Sequence, residues 1–244
     1  MSEGIYAALS GAVAQAQALD TVAANLASSG TQGYQRMRTV FREVLAGTSP
    51  DGAPLRYTQI AASPTDTTPG ALRATGRMSD AALPPGCYLS VMTPQGERYT
   101  RAVSLQVRAD GAIVNVSGHA VLGDNEQPLQ AQAGVGPLEI RANGTVVQNG
   151  NDNPIGRLKL VRFENASNLT HEGSMLMAAG PETGDPVPST TPVVAGSVEE
   201  SNASVVAAMN DMVAATRTFE AFQRVIDTFR DADRRVVSTV PGTG

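Results

Sequence analysis

The chain has 244 residues, 41% of them hydrophobic, enough for one or two domains with real cores. Its formal net charge of −5 disfavours a nucleic-acid partner, which calls for a basic surface. With 4% aromatic residues and no Trp, the core is expected to consist of Val, Leu, Ile, Ala and Met, and a single cysteine, Cys87, excludes an internal disulfide framework.

Residues 1–35 read as a helix followed by a turn. Steps of four and three from Ile5 meet Leu9, Ala12, Ala16, Leu19, Ala23 and Leu26, all apolar. Ile5 to Leu26 would form a rod of roughly 33 Å. Gly30 is placed to take the left-handed conformation that ends a helix, with Gly33 and Tyr34 just beyond it. The start does not read as a cleaved secretory signal, because the first basic residue is Arg36 and Glu3 and Asp20 interrupt the apolar run. No stretch approaches the roughly 18 uncharged apolar residues of a membrane span.

Residues 48–70 lack helical periodicity, and 36–71 is expected to be an extended linker or hinge. From 72 to 180 the pattern changes to period two. Val103, Leu105 and Val107 alternate with Ser104, Gln106 and Arg108, and Asp110-Gly111 and Asn143-Gly144 are hairpin turns. "CYLSVMT" and "GRLKLVRF" read as further strands, "GVGP" at 134–137 as a turn. Residues 181–198, rich in proline, are expected to be a second linker.

The C-terminal segment, 199–240, returns to a helical pattern. Its seam is Val205, Met209, Met212, Thr216, Phe219, Gln223 and Ile226, with Val206, Val213, Phe222, Val225 and Phe229 widening the stripe. Ser201, Asn202 or Ser204 can cap its start, and Pro241-Gly242 stops it. Seams this narrow are stable only when covered. Either the two end helices pack on each other within one domain, or they await other subunits. The fold class is therefore α+β: terminal helices pairing as a coiled-coil-like layer, and a central all-β domain of twisted antiparallel strands.

Catalytic signatures are missing from the sequence. His119 and His171 sit in turn-like contexts and read as surface or hairpin residues. Two His and one Cys give no metal-ligand spacing, and there is no P-loop, dinucleotide fingerprint or nucleophile elbow. No catalytic, cofactor or metal site is expected, and no small-molecule substrate.

The terminal segments do carry a resemblance. Ser10-Gly11, Asn25-Leu26-Ala27, Thr31, Gly33 and Tyr34 match the N-terminal signature of the bacterial flagellar rod and hook proteins, with Ala24 and Ser28 in place of the usual asparagines. Gly86, Gly96, Tyr99-Thr100-Arg101, Gly111, Gly118 and Leu122-Gly123 are in register with that family's β domain. Glu200-Ser201-Asn202, Met209, Met212, Arg217, Phe219-Glu220 and Ile226 resemble its closing helix. Within the family, the length, "VLGDNEQPL" and "IGRLKLVRF" are most similar to proximal-rod members, while "TVFREVL" is similar to distal-rod ones.

The resemblance implies a structural subunit, not an enzyme. Such subunits are exported by the flagellar type III apparatus without a cleaved signal, and they assemble with copies of themselves and other rod proteins in the basal body. It further implies that the terminal helices form the assembly interface: Ile5, Leu9, Ala12, Leu19, Asn25 and Leu26 on the first, and Val205, Met209, Met212, Phe219 and Ile226 on the second. Gly30, Gly33 and Tyr34 would turn the chain outward. The alternatives are a distal-rod or hook-type member, or, outside the family, a standalone β binding module.

Overall fold

A computed structural model describes residues 2–48, 54–132, 136–148 and 154–239. The expected "GVGP" turn lies partly outside the described residues, and the Pro241-Gly242 stop wholly so. The fold is α+β, in two compact units. The first holds Met1–Leu26, Met37–Pro64 and Val205–Gly244; the second holds Ala27–Arg36 and Thr65–Ser204.

In the first unit, α1 (Ser2–Ala27) is followed by an antiparallel hairpin, β1 (Val40–Thr48) and β2 (Pro54–Ala62), and later by α2 (Val205–Thr239). The Ala-rich composition of α1 suits a helix, since Ala loses no side-chain entropy there. The hairpin corrects the expectation of an extended linker at 36–71. Val40, Phe41, Val44 and Tyr57 favour strands, and the Pro- and Gly-rich stretch that suggested a hinge joins them. Phe41 pairs with Ile60 and Val44 with Tyr57, while Arg38 N–H donates to the Pro64 carbonyl at 2.9 Å to close the neck.

The second unit is built from antiparallel strands. Its central strand, Cys87–Thr93, pairs with Gly96–Thr100, Ala120–Val121 and Leu160–Arg162. The period of two sends its side chains into two cores. Cys87, Leu89 and Val91 join Ile113, Val121, Ile140, Val146 and Leu158 on one side. Tyr88 joins Tyr99, Phe163, Leu169 and Met177 on the other. Phe163 meets Tyr99 edge-on at 4.7 Å and Tyr88 at 6.0 Å. The second core thus uses most of the chain's few ring pairs, where the composition suggested an aliphatic interior.

The Pro-rich stretch 181–198 is not a free linker either. Val187–Pro188 pairs with Leu160–Arg162, Val194–Ala195 with Asp80–Ala82, and Ser197–Glu199 with Leu72–Ala74. Pro188 is exposed in a strand with a neighbour on one side, a position that tolerates a missing N–H. Thr183, Val193 and Val198 are buried. The segment ending in Glu199 is therefore strand rather than helix, and α2 begins at Val205 instead of 199.

Candidate assembly interface

In the first unit α1 and α2 touch along a seam of small residues. A Cβ added to Gly4 would lie 2.6 Å from the Phe229 ring, and one added to Gly11 would lie 2.6 Å from the Phe222 ring. Gly4 and Gly11 stand seven residues apart, as do Phe222 and Phe229, so each glycine receives one ring in antiparallel order. The Gln15 amide donates to the Ala215 carbonyl at 3.3 Å, in the same order.

The least exposed positions of α2 follow Ala208, Met212, Ala215, Phe219, Phe222, Ile226 and Phe229. On α1 the buried positions are Ala8, Gly11, Ala12, Ala14 and Ala18, while Gly4, Gly11 and Gln15 make the contacts just described. Those contacts run one residue out of phase with the expected α1 seam. Ala12 is buried and Ile5, Leu19 and Leu26 are half-buried, but Leu9 is 50% exposed. On α2, Met212, Phe219 and Ile226 lie on the seam, whereas Val205 and Met209 do not; Met209 is 52% exposed. Size explains the shift. Glycine and alanine let a helix approach a phenylalanine that leucine would hold away. The heptad spacing of the glycines, matched by that of the phenylalanines, was the available signal.

Asn25 has a different role. Its side-chain amide donates to the Met37 carbonyl at 2.8 Å and accepts from the Met37 N–H at 2.9 Å. This two-point clamp fastens the last turn of α1 to the chain leading into β1.

The turn after α1 belongs to the second unit. The Thr31 N–H donates to the Ser28 carbonyl at 3.0 Å. Gly33, not Gly30, takes the left-handed conformation, with φ +66°; Gly30 is exposed, with open space around it. Gly33 N–H donates to the Glu199 carbonyl at 2.8 Å, and a Cβ there would lie 2.6 Å from the Ala102 nitrogen. Tyr34 is buried, its ring 5.2 Å from that of His171. Burial raises the Tyr34 phenol above its ordinary pKa, against a hydrogen bond with Ser28. Burial likewise pushes the His171 imidazole below its ordinary value.

Two polar clusters in this unit gather the segments that lead to and from α1, the hairpin and α2. Asn202 was expected as a possible helix cap. Instead its Oδ1 accepts from the Arg36 N–H at 2.7 Å, and its Nδ2 donates to the carbonyls of Asp66 and Thr68, each at 2.8 Å. Its own N–H donates to the Tyr34 carbonyl at 3.2 Å. Arg36 Nε adds an ion pair to Asp66 at 2.9 Å.

Beside this lies a buried ion pair, Arg101–Glu199. Arg101 also donates to the Cys87 carbonyl at 2.7 Å, and Glu199 accepts from the Gly70 N–H at 3.0 Å. The guanidinium lies 5.7 Å from the centre of the Tyr88 ring, and the Tyr88 hydroxyl donates to Gln35 at 2.9 Å. Burial drives the Tyr88 phenol up to about 12, against the opposing pull of Arg101. Neither Asn202 nor this ion pair was singled out as a site from sequence, because their partners are distant along the chain.

Among the described residues no group of three or more His, Cys, Asp or Glu is placed to hold a metal, and no helix is long and apolar enough to cross a membrane. The polar clusters bind the chain to itself, while apolar side chains stand exposed on both terminal helices. This arrangement offers the terminal helices as contact surfaces. Comparison with known proteins shows the class of protein. Residues 5–35 match the family described as flagella basal body rod protein, and residues 194–239 match the flagellar basal body rod FlgEFG protein C-terminal family. The chain is 34% identical to the flagellar basal-body rod protein FlgF of Escherichia coli (strain K12), covering 95% of each chain. It is 31% identical to FlgF of Rhizobium meliloti (strain 1021), over 96% of this chain and 94% of that one. It is 29% identical to the flagellar basal-body rod protein FlgG of Agrobacterium fabrum (strain C58 / ATCC 33970), over 91% and 93%. The chain belongs to the flagellar basal-body rod protein family, of the proximal-rod type. It is a structural subunit of the basal-body rod and interacts with other rod components.

Proposed function

We propose that the chain assembles with copies of itself through its terminal helices, forming part of the axial drive shaft that transmits torque and lines the export channel. In this reading α1 and α2 pair as a coiled-coil-like layer. The chain reaches its place through the flagellar export apparatus without a cleaved signal, and it does no catalysis. The observation that carries the reading is the apolar side chains left exposed on helices that already cover one seam, including Tyr6, Leu9 and Val13 on α1 and Val206, Met209 and Val213 on α2. A soluble monomer has little reason to display such rows on both terminal helices.

Ordering a helix end costs conformational entropy, and contact with a neighbour offsets it. Terminal helices that complete their ordering only on contact would keep subunits apart during export. Met209→Asp tests the reading, because it places a charge on the exposed row of α2 and leaves the covered α1–α2 seam unchanged. We expect non-motile cells that lack rods distal to this subunit, with the purified variant keeping the strand signal of its β unit in circular dichroism. Normal motility in this variant would refute the reading.

A further inference from the structure

We infer that Asn143 is a deamidation site whose reaction the folded hairpin turn blocks, so that only an unfolded chain is marked there. Asn143 is followed by Gly144, which has no side chain to hinder attack by its own backbone nitrogen. That nitrogen attacks Cγ of Asn143. The N–Cγ bond forms, the Cγ–Nδ2 bond breaks, and the Gly144 proton leaves with the amide nitrogen as ammonia. Water then adds to one of the two carbonyls of the cyclic imide. Opening on one side gives aspartate. Opening on the other gives isoaspartate, in which the main chain runs through Cβ and Cγ and is one methylene longer.

Asn143 is exposed, so its protection comes from the backbone and not from burial. Gly144 N–H donates to the Arg141 carbonyl at 2.8 Å, which makes Ala142 and Asn143 the central residues of a β-turn. Neither has a positive φ, while Gly144 has φ +80°, so the turn is of type I with the glycine just after it. In such a turn ψ of Asn143 is about 0°, and the Gly144 nitrogen eclipses the nitrogen of Asn143 itself. Ring closure needs it to eclipse Cβ instead, a rotation of about 120° at a tetrahedral carbon.

Hydrogen bonds from neighbouring stretches oppose that rotation. Arg141 N–H donates to the Thr145 carbonyl at 2.8 Å. Thr145 N–H donates to Asn143 Oδ1 at 3.0 Å, fastening the side chain that would have to swing towards Gly144. The carbonyls of Ala142 and Gly144, on either side, accept from Val193 N–H at 2.8 Å and Leu158 N–H at 2.9 Å. The turn also sets Ile140 opposite Val146, both buried in the core that holds Ile113 and Val121. Isoaspartate would lengthen the main chain between them and shift that pairing. Aspartate would not, and its carboxylate can still accept from Thr145. The fold therefore sorts chains by their history. A chain that stays unfolded ages at Asn143, and its isoaspartate product cannot rebuild the hairpin.

The purified full-length chain would be held at mildly alkaline pH, one sample folded in buffer and one unfolded in guanidinium chloride. Circular dichroism would verify the strand signal of the first. Mass spectrometry of the tryptic peptide 142–157 would follow Asn143, with fragment ions separating it from Asn149, which also precedes a glycine, and isoaspartate from aspartate. Conversion in the folded chain must wait for the turn to open and follows the open population, so we expect it to be at least about tenfold slower than in the unfolded chain. Equal rates would overturn the block, and an unfolded chain that keeps Asn143 intact would overturn the site. After the guanidinium is removed, chains with aspartate at 143 should join unaltered chains in the folded fraction on gel filtration, and isoaspartate chains should be depleted from it. Isoaspartate present in that fraction at its starting share would overturn the sorting.

Discussion

At the scale of single residues, the turn after α1 depends on Gly33 for two reasons at once. Its φ is +66°, and its missing side chain leaves room for the backbone at Arg101 and Ala102. Gly33→Ala meets both obstacles, and we expect it to lower stability by about 1–3 kcal/mol. Urea unfolding followed by tyrosine fluorescence would measure this. Gly30→Ala, at an exposed position with open space around it, should change little by the same measurement. Next to this turn, His171 gives the unit a pH dependence whose sign is fixed. Its imidazole is held below 6.5 by burial, so the unfolded chain takes up the proton first. Stability should be flat above about pH 6.5 and fall as the pH drops through that value towards the folded pKa. His171→Phe should keep the contact with Tyr34 and remove that slope. Asp80 adds a separate loss at lower pH. Burial opposes its ionisation, but hydrogen bonds from Ser104, Thr75 and Arg77 outweigh the burial and hold it below 3.8.

At the scale of elements, the sequence made visible what repeats with a fixed period and hid what depends on close approach. Both terminal helices, the strands Cys87–Thr93 and Leu160–Arg162, and the turns at Gly111 and Gly144 follow from apolar periodicity and turn residues. The phase of the α1 seam did not, because Leu9 draws the eye while Gly11 makes the contact. The β1–β2 hairpin and the strands at 187–199 were obscured by proline, which marks a loop in isolation but tolerates a strand edge. Arg101–Glu199 was invisible because its two halves are ninety-eight residues apart.

The helix seam yields a prediction of its own. Gly11→Leu would force the Phe222 ring aside and should lower the helix content and motility, whereas Gly30→Leu, with open space, should do neither. The ion pair gives another. Arg101→Met leaves Glu199 buried without its cation and should cost about 3–5 kcal/mol, while Arg101→Met with Glu199→Leu should recover a large part of it. Denaturant titration of the three variants would test the pair.

At the scale of the whole molecule, strand pairing explains how one chain supports two compact units. Leu72–Ala74 and Ser197–Glu199 run antiparallel, with Ala74 beside Ser197 and Leu72 beside Glu199. The second unit's long excursion therefore leaves and returns at neighbouring points. Low doses of subtilisin should remove the terminal helices and leave a resistant fragment bounded near residues 27 and 204, which mass spectrometry would identify. Helices that survive as well as the β unit would mean that their order does not wait for assembly.

That side-by-side pairing makes residues 75–196 interchangeable in principle, like a cartridge held in a two-pronged socket. A foreign domain spliced at Ala74 and Ser197 would inherit a stub whose ends already meet, so it would need termini close together and a face that covers Gly33, Tyr34 and Gln35 as Ala102, His171 and Tyr88 do. It would also remove Arg101, leaving Glu199 in the socket as an uncompensated anion. A successful replacement must bring its own buried cation, or be joined to a socket in which Glu199 has been made neutral.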